Sequence, residues 1–145
     1  MLHRVEELTP LRVWDELASK PDGALVDVRT RAEWMYVGLP DVAKLGKKLI
    51  MIEWRLFPSM AVNSEFATEL RNCLGETIPS DLYFICRSGA RSREAAECFM
   101  QTKKFEMGQT RCVNVTEGFE GDLDHLGRRG RINGWKYSGL SWSQT

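Results

Sequence analysis

A cysteine at the start of a short, arginine-rich segment is the part of this sequence best equipped for chemistry. Cys86 opens the run Cys-Arg-Ser-Gly-Ala-Arg-Ser-Arg and directly follows the apolar stretch 81–85. Cysteine reacts as the thiolate, which nearby positive charge and backbone N–H groups stabilise. Gly89 permits a tight turn, and three arginines supply the charge: Arg87, Arg91 and Arg93. The segment therefore predicts a reactive cysteine facing an anionic substrate rather than a buried structural thiol.

Two kinds of reaction use such a cysteine loop, and loop length separates them. Tyrosine-phosphatase-like enzymes have the pattern C-x5-R, in which the arginine clamps two phosphoryl oxygens. Counted from Cys86, that position holds Ser92, and Arg91 comes one residue early. A shorter loop closes a tighter ring, which suits the outer sulfur of a persulfide better than a tetrahedral phosphate. The spacing favours sulfur transfer and leaves a phosphatase or an arsenate reductase as the alternative.

The surrounding chain alternates short apolar runs with helical stretches, as βα units around a mainly parallel sheet do. Strands are predicted at 24–28, 49–52, 81–85 and 111–115. Helices are predicted at 11–19 after Thr9-Pro10, from the Thr30–Glu33 capping box, from Asn63 to Leu74, and at 92–102. The first should bury Leu11, Trp14 and Leu17, and the last Ala95, Cys98, Phe99 and Thr102. Cys86 then lies at the carboxyl end of a parallel strand, where open α/β sheets bind ligands.

Composition narrows the classes of protein. The 145 residues fit one domain, with a core at about 4–126 and an irregular tail at 127–145. Twenty basic residues balance twenty acidic ones, so neither nucleic acid nor a membrane surface is an expected partner. There is no apolar run long enough to span a membrane and no signal-peptide pattern, so we expect a cytoplasmic protein. The four cysteines form no C-x-x-C pair, and we expect no metal and no cofactor.

Five short motifs, taken in order, resemble the rhodanese superfamily of sulfurtransferases. Asp27-Val28-Arg29 with Glu33-Trp34 is similar to that family's D-V-R-x-x-x-E-aromatic signature. Gly38-Leu39-Pro40 resembles the following G-H-I-P-G segment, without its histidine and second glycine. Cys86 to Arg91 is similar to the six-residue active-site loop. The last two matches are a strand and glycine turn, Asn114-Val115 with Glu117-Gly118-Phe119, and a tail, Gly134-Trp135-Lys136 with Gly139-Leu140 and Trp142.

The resemblance implies a rhodanese-like α/β fold whose mainly parallel five-stranded sheet has helices on both faces. It also implies sulfur transfer through a Cys86 persulfide with ping-pong kinetics. The implied substrates are an anionic donor such as thiosulfate and an acceptor that is cyanide or a thiol, with a partner protein as the alternative acceptor. A non-catalytic binding module is a further alternative. The loop residues expected to hold the substrate are Arg87, Ser88, Gly89, Ala90, Arg91 and Ser92.

A few residues outside the loop also carry expectations. Arg29 and Glu33 stand four residues apart and are expected to form a structural ion pair, although Arg29 is also a candidate for lining the pocket. Trp54 follows a strand and is the second such candidate. Cys98 and Cys112 are expected in the core. Cys73, near a helix end, is expected to be partly exposed, with a resolving role as a minor alternative.

Overall fold

The computed structural model describes residues 4–103 and 110–145. Its elements, in chain order, are β1 (Glu6–Leu8), α1 (Pro10–Ser19), β2 (Gly23–Asp27), α2 (Arg31–Tyr36), β3 (Leu39–Pro40), a 3-10 turn (Ala43–Leu45), β4 (Lys48–Met51), β5 (Arg55–Leu56), β6 (Ala61–Val62), α3 (Phe66–Leu74), β7 (Asp81–Ile85), α4 (Ala90–Lys103), β8 (Arg111–Val115) and β9 (Trp142–Ser143). No helix in the described ranges is both long and apolar enough to cross a membrane.

Five of the strands form one parallel sheet at the centre of the molecule. Their order is β1-β8-β7-β2-β4, and each neighbouring pair is parallel. The predicted strands at 81–85 and 111–115 have these same bounds, and the other two lie within one residue of their predicted positions. Central parallel strands are covered on both faces, so their residues are continuously apolar. All five residues of β7 are buried, as that rule requires.

Helices cover both faces of the sheet, as the resemblance implied. Alternate residues of a strand point to opposite faces. Val26 and Phe84 face one side, where α3 and α4 contribute apolar side chains that include Phe66, Leu70, Ala95 and Phe99. Leu25 and Tyr83 face the other side, where α1 and the C-terminal segment contribute Val13, Leu17, Phe119 and Trp135. The two faces therefore have separate apolar cores.

The first helix begins where the sequence predicts but buries a different stripe. The Thr9 side chain accepts a hydrogen bond from the Arg12 backbone N–H, and Pro10 occupies the first turn. Leu11 was predicted to be buried and is instead 53% exposed. The inward stripe is Pro10, Val13 and Leu17, whose spacing of three and four residues sets the rotation of the helix. Leu11 falls one position off that stripe, and Trp14 is only partly buried.

Two other predicted helices differ in their starts or faces. Asn63 was expected to cap the third helix, but α3 begins at Phe66. The Asn63 side-chain oxygen accepts from the Glu65 N–H at 3.0 Å, so Asn63 stabilises the turn before the helix rather than its first residue. In α4, the buried face includes Ala95 and Phe99 as predicted, whereas Thr102 is exposed.

A fully buried ion pair between Asp27 and Arg29 lies at the end of β2. The Arg29 Nε donates to Asp27 Oδ1 at 2.9 Å and its Nη2 donates to Oδ2 at 2.7 Å. Nη2 also donates to the Gly38 carbonyl at 2.8 Å, and the guanidinium lies 4.3 Å from the centre of the Phe119 ring. The predicted pair of Arg29 with Glu33 is therefore wrong, because the Arg29 side chain turns into the core while Glu33 projects from α2 elsewhere. Arg29 joins three separate segments.

We predict that Asp27→Asn destabilises the protein by about 3–5 kcal/mol, because the amide keeps the shape of the carboxylate but leaves Arg29 buried without a countercharge. Urea unfolding measures the free energy. Asp15→Asn, on the exposed side of α1, is the control and should change the unfolding free energy by less than about 0.5 kcal/mol. Equal losses in the two variants would contradict a stabilising role for the buried pair.

Candidate active site

Cys86 lies directly after β7, at the carboxyl edge of the sheet, and only 1% of its surface is exposed. Its Sγ accepts a hydrogen bond from the Gly89 backbone N–H at 3.1 Å. Gly89 has a φ of +113°, a conformation that favours glycine, and the chain enters α4 at the next residue. The helix was predicted to start at Ser92 but starts at Ala90, so Arg91 and Ser92 belong to its first turn. The sulfur thus faces both a loop amide and a helix N-terminus, which favour negative charge.

A series of hydrogen-bonded polar side chains contacts the sulfur on the side away from the cavity. Ser92 Oγ lies 3.2 Å from Cys86 Sγ and also bonds Asn114 Oδ1. The Asn114 amide nitrogen donates to the Gly89 carbonyl at 3.1 Å and to Glu7 Oε1 at 2.9 Å. Both of those partners are acceptors, so the oxygen of the Asn114 amide must face Ser92, which donates its single proton to it. The Gly89 N–H donates to the sulfur and stabilises the Cys86 thiolate.

Asn114 and Glu7 also belong to the site, although neither was predicted there. In the sequence, Asn114 appeared only as part of a family motif. A signal was nevertheless present, because an asparagine inside the otherwise apolar strand Arg111–Val115 must find buried hydrogen-bond partners. Glu7 carried no comparable signal, since it is partly exposed on a short edge strand.

The glycine turn after β8 fixes the backbone of the loop. The Phe119 N–H donates to the Cys86 carbonyl at 2.8 Å, and the Glu120 N–H donates to the Arg87 carbonyl at 3.0 Å. Gly118 has a φ of +67°, and a Cβ there would lie 2.5 Å from the Arg87 carbonyl carbon and oxygen. No Cβ is tolerated at that separation without a backbone shift. Gly118 is therefore required for the close approach of two loops that are far apart in sequence.

We predict that Gly118→Ala both destabilises the protein by more than about 1 kcal/mol and slows alkylation of Cys86 by about tenfold, because it displaces the loop from the sulfur. Unfolding and mass-spectrometric alkylation rates measure the two effects. Gly127→Ala is a matched control, since Gly127 has a φ of +77° but a Cβ added there would meet nothing within 4 Å. It should share the backbone strain without changing the alkylation rate; equal alkylation rates in the two variants would contradict the steric argument.

A bidentate ion pair connects this loop to the helix after β2. Arg91 Nη1 donates to Glu33 Oε1 at 2.8 Å and Nη2 donates to Oε2 at 2.9 Å. Glu33 also accepts from the Thr30 backbone N–H, which completes the predicted capping box at the start of α2. Burial opposes the charge on Glu33, but the Arg91 and Thr30 bonds outweigh it and lower the pKa of Glu33 to about 2. Arg91 is therefore already neutralised by a carboxylate of the same chain.

We predict that the Glu33–Arg91 pair contributes stability above pH 4.5, the ordinary pKa of the carboxyl, and loses it as pH falls towards about 2. Glu33→Gln should lower the free energy of unfolding near neutral pH by about 2 kcal/mol and flatten its decline across that acidic window. Chemical denaturation at a series of pH values measures both. Glu76→Gln, at an exposed position, should keep the steep decline; an equally steep decline in Glu33→Gln would refute the assignment.

Cys86 lies at the base of a cavity of about 610 Å³. Its walls come from three segments: α2 and its flanks with Thr30, Ala32, Glu33, Tyr36 and Val37; the β5–β6 hairpin with Phe57 and Met60; and the cysteine loop with Cys86, Arg87, Ser88, Ala90 and Arg91. The loop residues Gly89 and Ser92 instead contact the sulfur from the protein side. Phe57 was not predicted as part of the site, because only folding brings the β5–β6 hairpin to the cysteine loop.

The two further pocket candidates do not line this cavity. Arg29 is fully buried with Asp27. Trp54 is 7% exposed, packs edge-on against Phe66, and donates its indole N–H to Glu94 Oε1 at 3.0 Å. Both expectations about pocket lining were wrong, because each side chain finds its polar partner within the protein rather than at the cavity.

The other cysteines lie away from the cavity, and all four in the chain are free thiols. Cys112 is buried, as predicted, whereas Cys98 is only partly buried rather than in the core. Cys73 was expected to be partly exposed and is exposed. Burial raises the pKa of the Cys98 thiol. None of these three residues is among those that line the cavity at Cys86.

Comparison with known proteins first defines the class of fold. A rhodanese-like domain protein from Staphylococcus aureus superimposes with a TM-score of 0.53 and 18% sequence identity, over 86% of this chain and 93% of that one. No protein-family model matches the chain. The fold is therefore rhodanese-like, with the parallel five-stranded sheet and flanking helices described above.

Closer relatives define the family. The crystal structure of Rv0390 from M. tuberculosis is 42% identical, with a TM-score of 0.83, over 98% of this chain and 99% of that chain. "Uncharacterized protein RC0915" from Rickettsia conorii is 32% identical over 138 residues, which are 95% of this chain and 97% of that protein. The chain belongs to the same family as these two proteins.

Proposed function

We propose that this protein is a sulfurtransferase that carries sulfur as a persulfide on Cys86. The observation that carries this proposal is the environment of the sulfur: Sγ accepts the Gly89 N–H, faces the N-terminus of α4, and lies at the base of an open cavity. These features stabilise a thiolate and leave a path for a small anion. The rhodanese-like fold agrees with the proposal without specifying the reaction.

The reaction follows a double displacement. The Cys86 thiolate attacks the outer sulfur of thiosulfate; a new S–S bond forms, the S–S bond of the donor breaks, and sulfite leaves with its electron pair. Cyanide or a thiolate then attacks the outer sulfur of the persulfide, takes it as thiocyanate or a new persulfide, and returns the Cys86 thiolate. No proton transfer is needed when the nucleophile is already ionised, so the mechanism needs no general base.

Phosphoryl transfer is less well supported by the same residues. Ser92 occupies the position at which a phosphatase loop carries its clamping arginine, and its hydroxyl lies against Sγ. Arg91 makes both of its forked hydrogen bonds to Glu33. Neither residue offers the bidentate clamp for two phosphoryl oxygens that such a reaction requires.

A persulfide carrier that delivers sulfur to a partner protein is the second candidate. The observation in its favour is the apolar surface on the cavity wall, where Tyr36 and Phe57 are exposed. A partner cysteine on a protruding segment would have to enter the cavity to reach Sγ. Either role requires a reduced Cys86, so we also propose a reducing location such as the cytoplasm.

We predict that the protein produces thiocyanate from thiosulfate and cyanide, and that Cys86→Ala abolishes production because it removes the sulfur-accepting atom. A colorimetric thiocyanate assay measures turnover, and mass spectrometry measures the gain of one sulfur on Cys86. Cys73→Ala is the matched control, since that thiol is exposed but lies outside the cavity.

The outcomes separate the candidates. Turnover that persists in Cys86→Ala would sink the proposal. Sulfur loading on Cys86 with poor thiocyanate formation would favour the carrier, and hydrolysis of an aryl phosphate without sulfur loading would favour a phosphatase.

A further inference from the structure

We propose that the preferred sulfur donor of Cys86 is a monoanionic organic compound with an apolar body behind its transferable sulfur, such as an aromatic thiosulfonate or persulfide. The inference rests on the proposed function and specifies the substrate class of that same site. It departs from the expectation of thiosulfate, which is a small dianion. The charge of the cavity, its size and the character of its walls carry the argument.

Apart from the Cys86 thiolate itself, the charged groups on the cavity wall sum to a single positive charge. Glu33 and Arg91 neutralise each other through two hydrogen bonds of 2.8 and 2.9 Å. Arg87 is exposed, and within residues 4–103 and 110–145 the structure shows no acidic partner for it. Arg93, the third arginine of the segment, pairs with Glu7 at 2.8 Å and does not line this cavity. One uncompensated cation matches a monoanionic donor better than a dianion that must approach a thiolate.

The volume and the walls point to an organic body. At about 610 Å³ the cavity is in the ordinary range of small-molecule sites and far exceeds what a small inorganic anion fills. Tyr36 and Phe57 are 76% and 58% exposed and line the same cavity, so together they form an exposed apolar surface of the kind that contacts a ligand or partner. Val37 and Met60 add further apolar surface between them.

The apolar surface also continues outwards from the mouth. Ala32, Tyr36 and Phe57 line both the cavity at Cys86 and a neighbouring cavity of about 420 Å³ on the outer side of α2. A donor whose charged sulfur group lies near Arg87 can therefore place an aromatic ring between α2 and the β5–β6 hairpin. Burial of that ring provides binding energy that a small donor cannot obtain.

The chemistry is balanced for both members of the class. With a thiosulfonate, the Cys86 thiolate attacks the outer sulfur, the Cys86 S–S bond forms, and the donor S–S bond breaks to release a sulfinate. With an organic persulfide, the same attack on the terminal sulfur releases a thiolate. In each case the two reactants carry one negative charge each, and so do the two products, the Cys86 persulfide and the leaving group. No other oxidant or reductant is needed.

The test compares the rate at which Cys86 gains one sulfur from three donors, with no acceptor present. The donors are thiosulfate, methanethiosulfonate and benzenethiosulfonate, and each rate is divided by the rate at which that donor reacts with a small thiol in solution. We expect benzenethiosulfonate to load Cys86 about tenfold faster than methanethiosulfonate on this scale, and thiosulfate to be the slowest. A parallel measurement with benzyl persulfide then shows which member of the class is preferred.

Substitutions on the apolar wall of the cavity test whether it causes the preference for the aromatic donor. Phe57→Ala and Tyr36→Ala should each reduce the ratio of benzenethiosulfonate to methanethiosulfonate loading by about fivefold to tenfold. Both side chains are more than half exposed, so their truncation leaves no buried void, and a thermal melt verifies folding. Leu126→Ala is the control, because Leu126 is 60% exposed and lies outside the cavity; it should leave the ratio unchanged.

The outcomes distinguish this inference from the function on which it rests. If no donor loads Cys86, the proposed function fails and this inference fails with it. If thiosulfate loads at least as fast as the thiosulfonates, or if Phe57→Ala and Tyr36→Ala leave the ratio intact, only the inference about the organic donor is overturned.

Discussion

The ion pair between Arg91 and Glu33 joins two of the three segments that form the walls of the cavity. Arg91 ends the cysteine loop in the first turn of α4, and Glu33 lies in α2, after the neighbouring strand β2. Because β2 and β7 are adjacent and parallel, the segments that follow them emerge at the same edge of the sheet. The pair fixes the separation of these segments, and that separation defines the space above Cys86.

Polar groups buried behind the loop give the site its rigidity. Cys86 Sγ, Ser92, Asn114 and Glu7 form one hydrogen-bonded series that runs from the sulfur to the edge of the sheet. Such groups are costly to bury unless every donor and acceptor is satisfied, and here each supports the geometry of the next. The sulfur is therefore held by a preorganised set of partners rather than by a flexible loop.

The net charge at the site is lower than the number of arginines in the segment indicates. Three arginines follow Cys86 within seven residues, but two of them are paired with Glu33 and Glu7. Arg91 and Arg93 thus stabilise the loop through their ion pairs. Arg87 is the arginine of the three whose charge is available to a ligand. Together with the aromatic side chains from α2 and the β5–β6 hairpin, this arrangement presents a site that is more apolar and less cationic than the sequence suggests.

The sequence by itself determined four of the five strands of the central sheet, the main helices, the capping box and the position of Cys86 at a strand end. These features depend on neighbouring residues: the apolar run 81–85, the Thr30–Glu33 spacing and the glycine at 89 each specify a local conformation. Tertiary structure decided which side chains meet. Arg29 pairs with Asp27 rather than Glu33, Trp54 turns to Glu94, and Phe57 reaches the cavity. The reason is physical: such partnerships depend on how elements distant in sequence pack and rotate against each other, which no local pattern specifies.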